Sequence, residues 1–304
     1  MFNRFVASIL PYMPKKFVWL FSKRYVAGKT IDDVLSVSKM INGNGMCITV
    51  DLLGEFISTP EEALQNKLNY LEIVDQFTEA GIDGSFSVKP TSFGLLIDKE
   101  MCYDFIREVV QKAADANNFV RIDMEDSRCT TPEIELYLKL KEEFPANVGL
   151  VLQAYLKRTP NDIEEMMRNA HSPSQPLNFR ICKGIYIEPH SIAYRNYRQV
   201  RHQFLINLEL MLKNNIYAAI ATHDSYLVHE SLALIDKYKV PKNRYEFQML
   251  YGVTPGLRDS ILQTGHKLRI YVPFGKHWFG YCSRRIKENP KMVSDILKAL
   301  FIRG

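Results

Sequence analysis

The sequence predicts an α/β fold, specifically a (β/α)8 TIM-like barrel with an N-terminal helical extension. Two observations carry this. After residue 45, eight short apolar runs each end in polar or charged residues. They recur at intervals of roughly 23–40 residues, the period of a strand, a loop and a helix. The stretches between them place apolar residues near helical spacing. An open doubly wound sheet is the alternative, and it usually shows a glycine-rich nucleotide turn after its first strand. Here that turn is Asp51-Leu52-Leu53-Gly54-Glu55-Phe56, with a single glycine.

Taken in order, residues 1–45 read as the helical extension and 46–304 as the barrel. Phe5 to Met13 is apolar but short, is broken by Pro11 and lacks a small-residue cleavage site, so it does not read as a signal peptide. Lys15, Lys16, Phe17, Trp19, Phe21, Lys23 and Arg24 form a basic, aromatic stretch. It suits either a helix packed on the domain or one touching an anionic membrane. Strands are expected at 47–53, 84–89, 119–124, 148–155, 179–183, 218–223, 245–250 and 268–272. Residues 61–80 place Leu64, Leu68, Leu71 and Phe77 near helical spacing and end at Gly81, a C-cap residue. Thr131-Pro132-Glu133 puts a proline at a first helical position, ahead of Leu136, Leu138 and Leu140. Thr159-Pro160 and residues 162–167 repeat that start. The last helices are expected at about 277–288 and from Pro290 onward.

Composition excludes several classes. The 304 residues are 46% hydrophobic and 24% charged, which supports a sizeable core and rules out a disordered or collagen-like chain. A net charge of +5 permits an anionic ligand or surface but does not argue for nucleic acid. The five cysteines show no zinc spacing and no CxxC, which favours a reducing compartment, the cytoplasm. No stretch approaches the roughly 20 apolar residues of a membrane span. Gly28-Lys29-Thr30 imitates the tail of a phosphate-binding loop, but position 23, where that loop needs glycine, is lysine. Gly43-Asn44-Gly45 precedes a strand rather than following one. There is no HExxH metal motif and no GxSxG nucleophile elbow.

In a barrel of this kind the chemistry sits at the C-terminal ends of the strands. Those ends read Asp51, Lys89, Asp123 with Met124, Gln153 with Tyr155, Arg180 with Lys183, Thr222 with His223, Gln248 with Leu250, and Tyr271. Three cations (Lys89, Arg180 and Lys183) fall on one face and suit an anionic or electron-rich ligand. Strand alternation puts Arg180 and Cys182 on one side and Lys183 on the other, with Gly184 able to bend the chain. Beyond the last strand, Tyr281, Arg284, Arg285 and Glu288 are spaced i, i+3, i+4 and i+7, one stripe of a helix. The stripe is either a solvated ion-pair ladder or a clamp for a carboxylate, which arginine binds bidentately.

These segments together resemble the FAD-dependent proline dehydrogenase (proline oxidase) family of the monofunctional bacterial type. The stretches that carry the likeness are Arg121-Ile122-Asp123-Met124-Glu125, Gln153-Ala154-Tyr155-Leu156, Arg180-Ile181-Cys182-Lys183-Gly184-Ile185-Tyr186, Ala221-Thr222-His223-Asp224, Phe247-Gln248-Met249-Leu250-Tyr251-Gly252, Arg269-Ile270-Tyr271-Val272-Pro273-Phe274-Gly275 and the run from Tyr281 to Asn289. The resemblance implies a distorted barrel with FAD at its C-terminal face. It implies oxidation of L-proline to Δ1-pyrroline-5-carboxylate, with electrons passed to a membrane quinone. It also implies peripheral contact with the inner face of the cell membrane, through the N-terminal stretch or residues 297–303. Lys89, Arg284 and Arg285 then resemble the clamp on the proline carboxylate, and Glu288 holds the arginines or meets the amine. Arg180 resembles the residue beside flavin N5, with Asp123 its acidic neighbour. Met124, Gln153, Lys183, Gly184, Ile185, Thr222 and His223 resemble FAD contacts, and Leu250, Tyr271 and Tyr281 the walls around the proline ring. Some members carry a fused aldehyde dehydrogenase. A chain of 304 residues has no room for one, so a separate pyrroline-5-carboxylate dehydrogenase is expected downstream.

Rival readings are another flavin barrel resembling methylenetetrahydrofolate reductase, a Schiff-base aldolase built on Lys89 or Lys183, and a basic binding module. The first leaves the double-arginine helix without a purpose, and the last leaves the strand-end cations unexplained.

Overall fold

The computed structural model describes residue 19 and residues 22–54, 57–170 and 176–282. Eight parallel strands close into a barrel in sequence order, with β8 hydrogen-bonded back to β1. The order is α1 (Ile31–Gly43), β1 (Cys47–Leu52), α2 (Pro60–Glu79), β2 (Gly84–Val88), α3 (Lys99–Asp115), β3 (Val120–Ile122), α4 (Thr130–Glu143), β4 (Val148–Gln153) and α5 (Thr159–Ala170). It continues with β5 (Asn178–Cys182), α6 (Tyr197–Lys213), β6 (Tyr217–Ala221), α7 (Ser225–Lys237), β7 (Tyr245–Leu250), α8 (Pro255–Gln263) and β8 (Leu268–Phe274). Every expected strand is present. Asp123, Met124, Tyr155, Lys183, Thr222 and His223 fall just beyond strand ends, in the loops where site residues belong.

Alternation along each strand sorts the side chains into two shells. Ile48 and Val50, Phe86 and Val88, Phe179 and Ile181, and Ile270 and Val272 are buried and join the core shared with the helices. The intervening residues face the barrel axis and are largely polar. A lower layer holds Thr49, Ser85, Arg121, Glu246 and Arg269, all closely packed. The Arg269 guanidinium donates to Glu246 (2.8 Å), the Ile48 carbonyl (2.6 Å) and Ser85 (3.3 Å). Arg121 donates to the Asn178 carbonyl (2.8 Å) and side chain (2.6 Å). Burial, together with Arg180, pulls its guanidinium down to about 9. An upper layer, described below, forms the site.

Local chemistry sets the helix starts. Thr30 is the N-cap of α1, and Thr59 that of α2, each closed by a capping box with Asp33 and Glu62 respectively. The false phosphate loop therefore ends in a helix cap. The α2 helix forms where the spacing predicted it, and its buried face falls on other residues than most of the leucines. Tyr70, Ile73, Val74 and Phe77 are buried, whereas Leu64 and Leu68 are exposed. The true stripe has i, i+3, i+4, i+7 spacing, and the leucines lie off it. A correction concerns α4, which starts at Thr130, so Pro132 sits third in the helix. The first turn tolerates proline there because its N–H has no intrahelical acceptor.

The N-terminal helix α1 packs against β1 and β8. It thereby takes the flank between the last strand and the first. The turn of helix at 278–282 that follows β8 lies elsewhere, because its Tyr281 lines the cavity at the C-terminal mouth. No helix among the described residues is long and apolar enough to cross a membrane.

The Arg269–Glu246 pair generates a stability prediction. Burial alone would raise the Glu246 carboxyl, but Arg269 and Lys267 outweigh it and hold it at about 2. The folded value lies below the ordinary 4.5, so the pair's stabilisation is complete above that pH. It is lost as pH falls from there toward the folded value. Arg269→Met should cost about 3–5 kcal/mol in urea unfolding at neutral pH, because it strands a buried charge. The acid arm of its stability profile should also flatten. Unchanged stability would remove this pair from the account of the fold.

Candidate active site

The upper layer is built from alternate residues of five strands and the loop after β3. Lys89, the residue following β2, donates to Asp51 Oδ1 at 2.5 Å and to the Tyr271 hydroxyl at 3.3 Å. Asp123 lies directly after β3 and is the hub. Its Oδ1 accepts from Ser87 Oγ (2.6 Å) and Arg180 Nη1 (2.8 Å), and its Oδ2 accepts from the Tyr271 hydroxyl (2.9 Å). Lys89 Nζ lies 3.7 Å from the same oxygen. Arg180 Nε donates to Gln248 Oε1 at 2.5 Å, and Gln248 in turn donates to Glu246. Bonds from β5 and β8 to Asp123 cross the barrel axis, so these groups form one network.

Burial sets its electrostatics. Asp51, Asp123 and Arg180 are all buried. Burial pushes the Asp51 carboxyl up, and Lys89 offsets this only in part. Burial, Asp123 and Asp51 together push the Tyr271 hydroxyl well above its ordinary range, so it stays protonated and donates. Lys89 and Arg180 are thus each matched by a carboxylate, and Lys183 is matched separately. Its Nζ donates to Asp224 Oδ2 at 2.6 Å, beside Arg201 and the Tyr197 hydroxyl. Burial would raise Asp224, but these bonds outweigh it and hold the carboxyl well below the usual range. The ring of three cations read from the sequence is therefore a set of ion pairs. The family likeness named Asp123 beside Arg180, but counting strand-end cations did not show that Asp51 holds Lys89 and Asp224 holds Lys183.

Above the network lies a cavity of about 240 Å³. Asp51, Lys89, Asp123, Arg180, Gln248 and Tyr271 line it. So do Met124, Gln153, Gly184, Ile185, His223 and Leu250, and Tyr281 joins from beyond the last strand. Thr222 and Lys183 are not among the lining residues. Thr222 is buried, and its Oγ1 accepts from Asp224 N at 3.2 Å. His223 Nε2 accepts from Leu250 N at 2.8 Å, which in the neutral ring puts the hydrogen on Nδ1. Gly184 has φ +97°, and a Cβ there would lie 2.1 Å from the Tyr155 ring. Only glycine fits this bend. Arg284, Arg285 and Glu288 lie outside the described residues.

The β3 loop is locked by Thr91, Glu125 and Glu133, to which the sequence assigned no site role, together with Gln153. Glu125 accepts from Thr91 N (2.9 Å) and Thr91 Oγ1 (2.6 Å). Glu133 accepts from Glu125 N at 3.1 Å, and burial, with Glu125 alongside, drives its carboxyl well up. Gln153 Nε2 donates to the Met124 and Glu125 carbonyls at 2.7 and 3.0 Å. Ser87 was also missed, although it lies two residues before Lys89 and so shares its face. Among the described residues, Arg180 Nη2 and Gln153 Oε1 of the lining are buried without a hydrogen-bond partner. A buried donor and a buried acceptor left unmet cost stability. They equip the cavity for a ligand that offers both an acceptor and a donor.

The comparisons with known proteins bear on what that ligand is. A family model described as proline dehydrogenase matches residues 34–297, which takes in every strand of the barrel. Proline dehydrogenase 1 of Bacillus subtilis subsp. natto is 34% identical over 281 residues, covering 92% of this chain and 90% of the relative. Proline dehydrogenase of Deinococcus radiodurans is 30% identical over 287 residues, covering 93% and 91%. A crystal structure of proline utilization A from Bdellovibrio bacteriovorus, inactivated by N-propargylglycine, superimposes with a TM-score of 0.84 at 26% identity. It covers 89% of this chain, and the chain spans about a third (33%) of that longer protein. With its closed eight-stranded barrel, its single network at the strand ends and a match along nearly its whole length, the chain belongs to the proline dehydrogenase family, enzymes that oxidise proline.

Proposed function

We propose that this chain oxidises L-proline to Δ1-pyrroline-5-carboxylate with FAD as its cofactor and passes the electrons to a membrane quinone. The observation that carries the reading is the Arg180 guanidinium. It is gripped at Nε by Gln248 and at Nη1 by Asp123, with Nη2 unmet at the cavity. A planar group held along one edge presents the other in a fixed direction. Gln153 Oε1 adds an acceptor, and the Gly184 bend adds a close backbone approach. This donor set fits an isoalloxazine, which carries both ring acceptors and a ring N–H. When bound, FAD supplies the hydride acceptor.

The chain's own residues orient the substrate and fix the field around it. Lys89 is an ammonium with three donors, and a proline carboxylate would share it with Asp51. Arg284 and Arg285 complete the clamp, and Glu288 steadies them or meets the amine. This part rests on the helical stripe and the family likeness. Leu250, Tyr271 and Tyr281 form walls for the proline ring. Asp123 keeps Arg180 and Tyr271 in place, and its charge is spent on them. Arg180 favours negative charge developing beside it. Met124 and Ile185 supply apolar surface, His223 and Thr222 shape the β6 end, and Lys183 with Gly184 shapes the β5 end. The product goes to a separate pyrroline-5-carboxylate dehydrogenase, and peripheral membrane contact brings the enzyme to its quinone.

The visible spectrum tests cofactor and substrate together. Purified protein should show a flavin spectrum that bleaches on anaerobic addition of L-proline. A flavin bleached by NADH but not by proline would replace this reading with the reductase alternative, and a colourless protein that takes up no FAD would end it. Arg285→Lys should raise the proline KM about tenfold or more with FAD content unchanged, because a point charge cannot replace a bidentate fork. Equal KM values would sink the clamp. The Tyr271 ring should also crowd the far side of the substrate, so that 4-hydroxyproline is turned over much more slowly than proline. Comparable kcat/KM values for the two would remove Tyr271 from the ring wall.

A further inference from the structure

The N-terminal segment is built into the mouth of the barrel rather than lying loose beside it. Ala27 N donates to the Pro273 carbonyl at 2.9 Å, and Gly275 N donates to the Gly28 carbonyl at 3.0 Å. These two bonds tie residues 27–28 to the end of β8. The Arg24 carbonyl presses on Gly252, just after β7. That glycine has φ +75°, and a Cβ on it would lie 1.9 Å from the carbonyl oxygen. Val26 packs with Leu53, just after β1, and with Trp278, Tyr281 and Cys282 in a small apolar cluster separate from the main core. The Trp19 ring lies 4.7 Å from the Trp278 ring. Lys29 Nζ sits 4.7 Å from the Trp19 ring and 5.9 Å from that of Trp278.

The segment therefore rests on the ends of β7, β8 and β1. These are the strands that give Leu250, Tyr271 and Asp51 to the cavity. Its other side bears on the turn of helix carrying Tyr281. That turn follows β8 and lies outside the repeating strand–helix ring, and among the described residues its apolar side chains pack with Val26 and Leu53. We infer that Trp19 and residues 22–29 are a brace that sets the position of the Tyr281 helix over the cavity, with Trp19 and Lys29 as positioning residues for substrate binding. The inference rests on the reading that this helix meets the substrate. A brace of this kind moves substrate affinity and leaves cofactor binding at the β4–β6 ends untouched. It also gives the basic, aromatic N-terminal stretch a packing role at its Trp19 end.

The test uses the holoenzyme. The chain has two tryptophans in all. Two indoles in ring contact couple, so an exciton couplet in the wild-type far-ultraviolet dichroism that Trp19→Phe abolishes would report the Trp19–Trp278 contact. Trp19→Ala should raise the proline KM about tenfold, with kcat within twofold and FAD content unchanged. Trp19→Phe should restore most of the affinity while abolishing the couplet. Lys29→Gln, an exposed change that leaves the fold intact, should raise KM about threefold, and it decides the matter if Trp19→Ala does not fold. Unchanged KM in Trp19→Ala or in Lys29→Gln, loss of FAD in step with affinity, or absence of the couplet in wild type would overturn the brace. A wild type whose flavin ignores proline would instead overturn the functional reading and the brace with it.

Discussion

The constraint on which the rest of this structure depends is that charge placed inside the barrel has to be paired inside it. A barrel of eight strands has an interior just wide enough to be filled by side chains. This one fills it with Arg121, Glu246 and Arg269 below and Asp51, Asp123, Lys89 and Arg180 above. An isolated ion there carries a desolvation cost of several kcal/mol, and only good geometry with further hydrogen bonds recovers it. The Asp123 carboxylate shows how that is met. Its two oxygens take bonds from Ser87, Arg180 and Tyr271, which arrive from three separate strands. Each partner fixes the others, so strand register and site geometry become one problem. A shift of β5 by one residue would turn Arg180 out among the helices and leave Asp123 buried without its guanidinium.

The same pairing governs what the site can do. A guanidinium or ammonium already matched by a carboxylate does not collect stray anions. It offers a ligand only the donors its partners leave over. Arg180 is held on two of its three nitrogens, and Lys89 is shared between Asp51 and Tyr271. Recognition is then set by direction rather than by gross charge. This suits a small zwitterion, which has a fixed carboxylate, a nearby amine and little apolar surface. The chain's net charge of +5 says almost nothing about such a site, because the relevant cations are balanced within a few ångströms.

Much of this was legible in the sequence. The eight strands could be read because they are short, largely apolar runs with polar or charged residues at or near their ends, and their order follows from short connections. Lys89, Asp123, Arg180 and Tyr271 were found because they stand at those ends. Less legible was anything that depended on what lies across the barrel. Ser87 looks like an ordinary strand serine until Asp123 arrives from β3. Asp51 was noted as a strand end, but its role as the counter-ion of Lys89 needs the closure of β1 against β2. Lys183 looked like a member of the site, and Asp224, forty-one residues later, claims it. The α2 helix was legible, but which of its faces is buried was not. Leu64 and Leu68 are as hydrophobic as the residues that are buried, and periodicity weighed only by hydrophobicity did not separate them from Tyr70 and Phe77. Tyr70 is fixed by a polar function that hydrophobicity does not report, since its hydroxyl donates to the Ser87 carbonyl at 2.6 Å.

The departure from the repeating pattern explains why the chain needs residues before its first strand. In a regular barrel the helix after β8 closes the ring against β1. Here α1, from the N-terminal side, packs against β1 and β8, and the segment after β8 carries Tyr281 to the cavity. The exchange frees one helix from the wall and makes it available as a cover, bringing side chains that no strand end provides. It also removes that helix from the packing that would have held it. An element over a mouth, without a partner strand beneath it, depends on contacts from the side. The cluster of Val26, Leu53, Trp278 and Tyr281 supplies that contact, and the backbone bonds at Pro273 and Gly275 anchor it to the rigid rim. The N-terminal extension and the turn of helix carrying Tyr281 are thus two parts of one solution: α1 fills the wall, and the chain leading into it packs beside the turn that reaches the cavity.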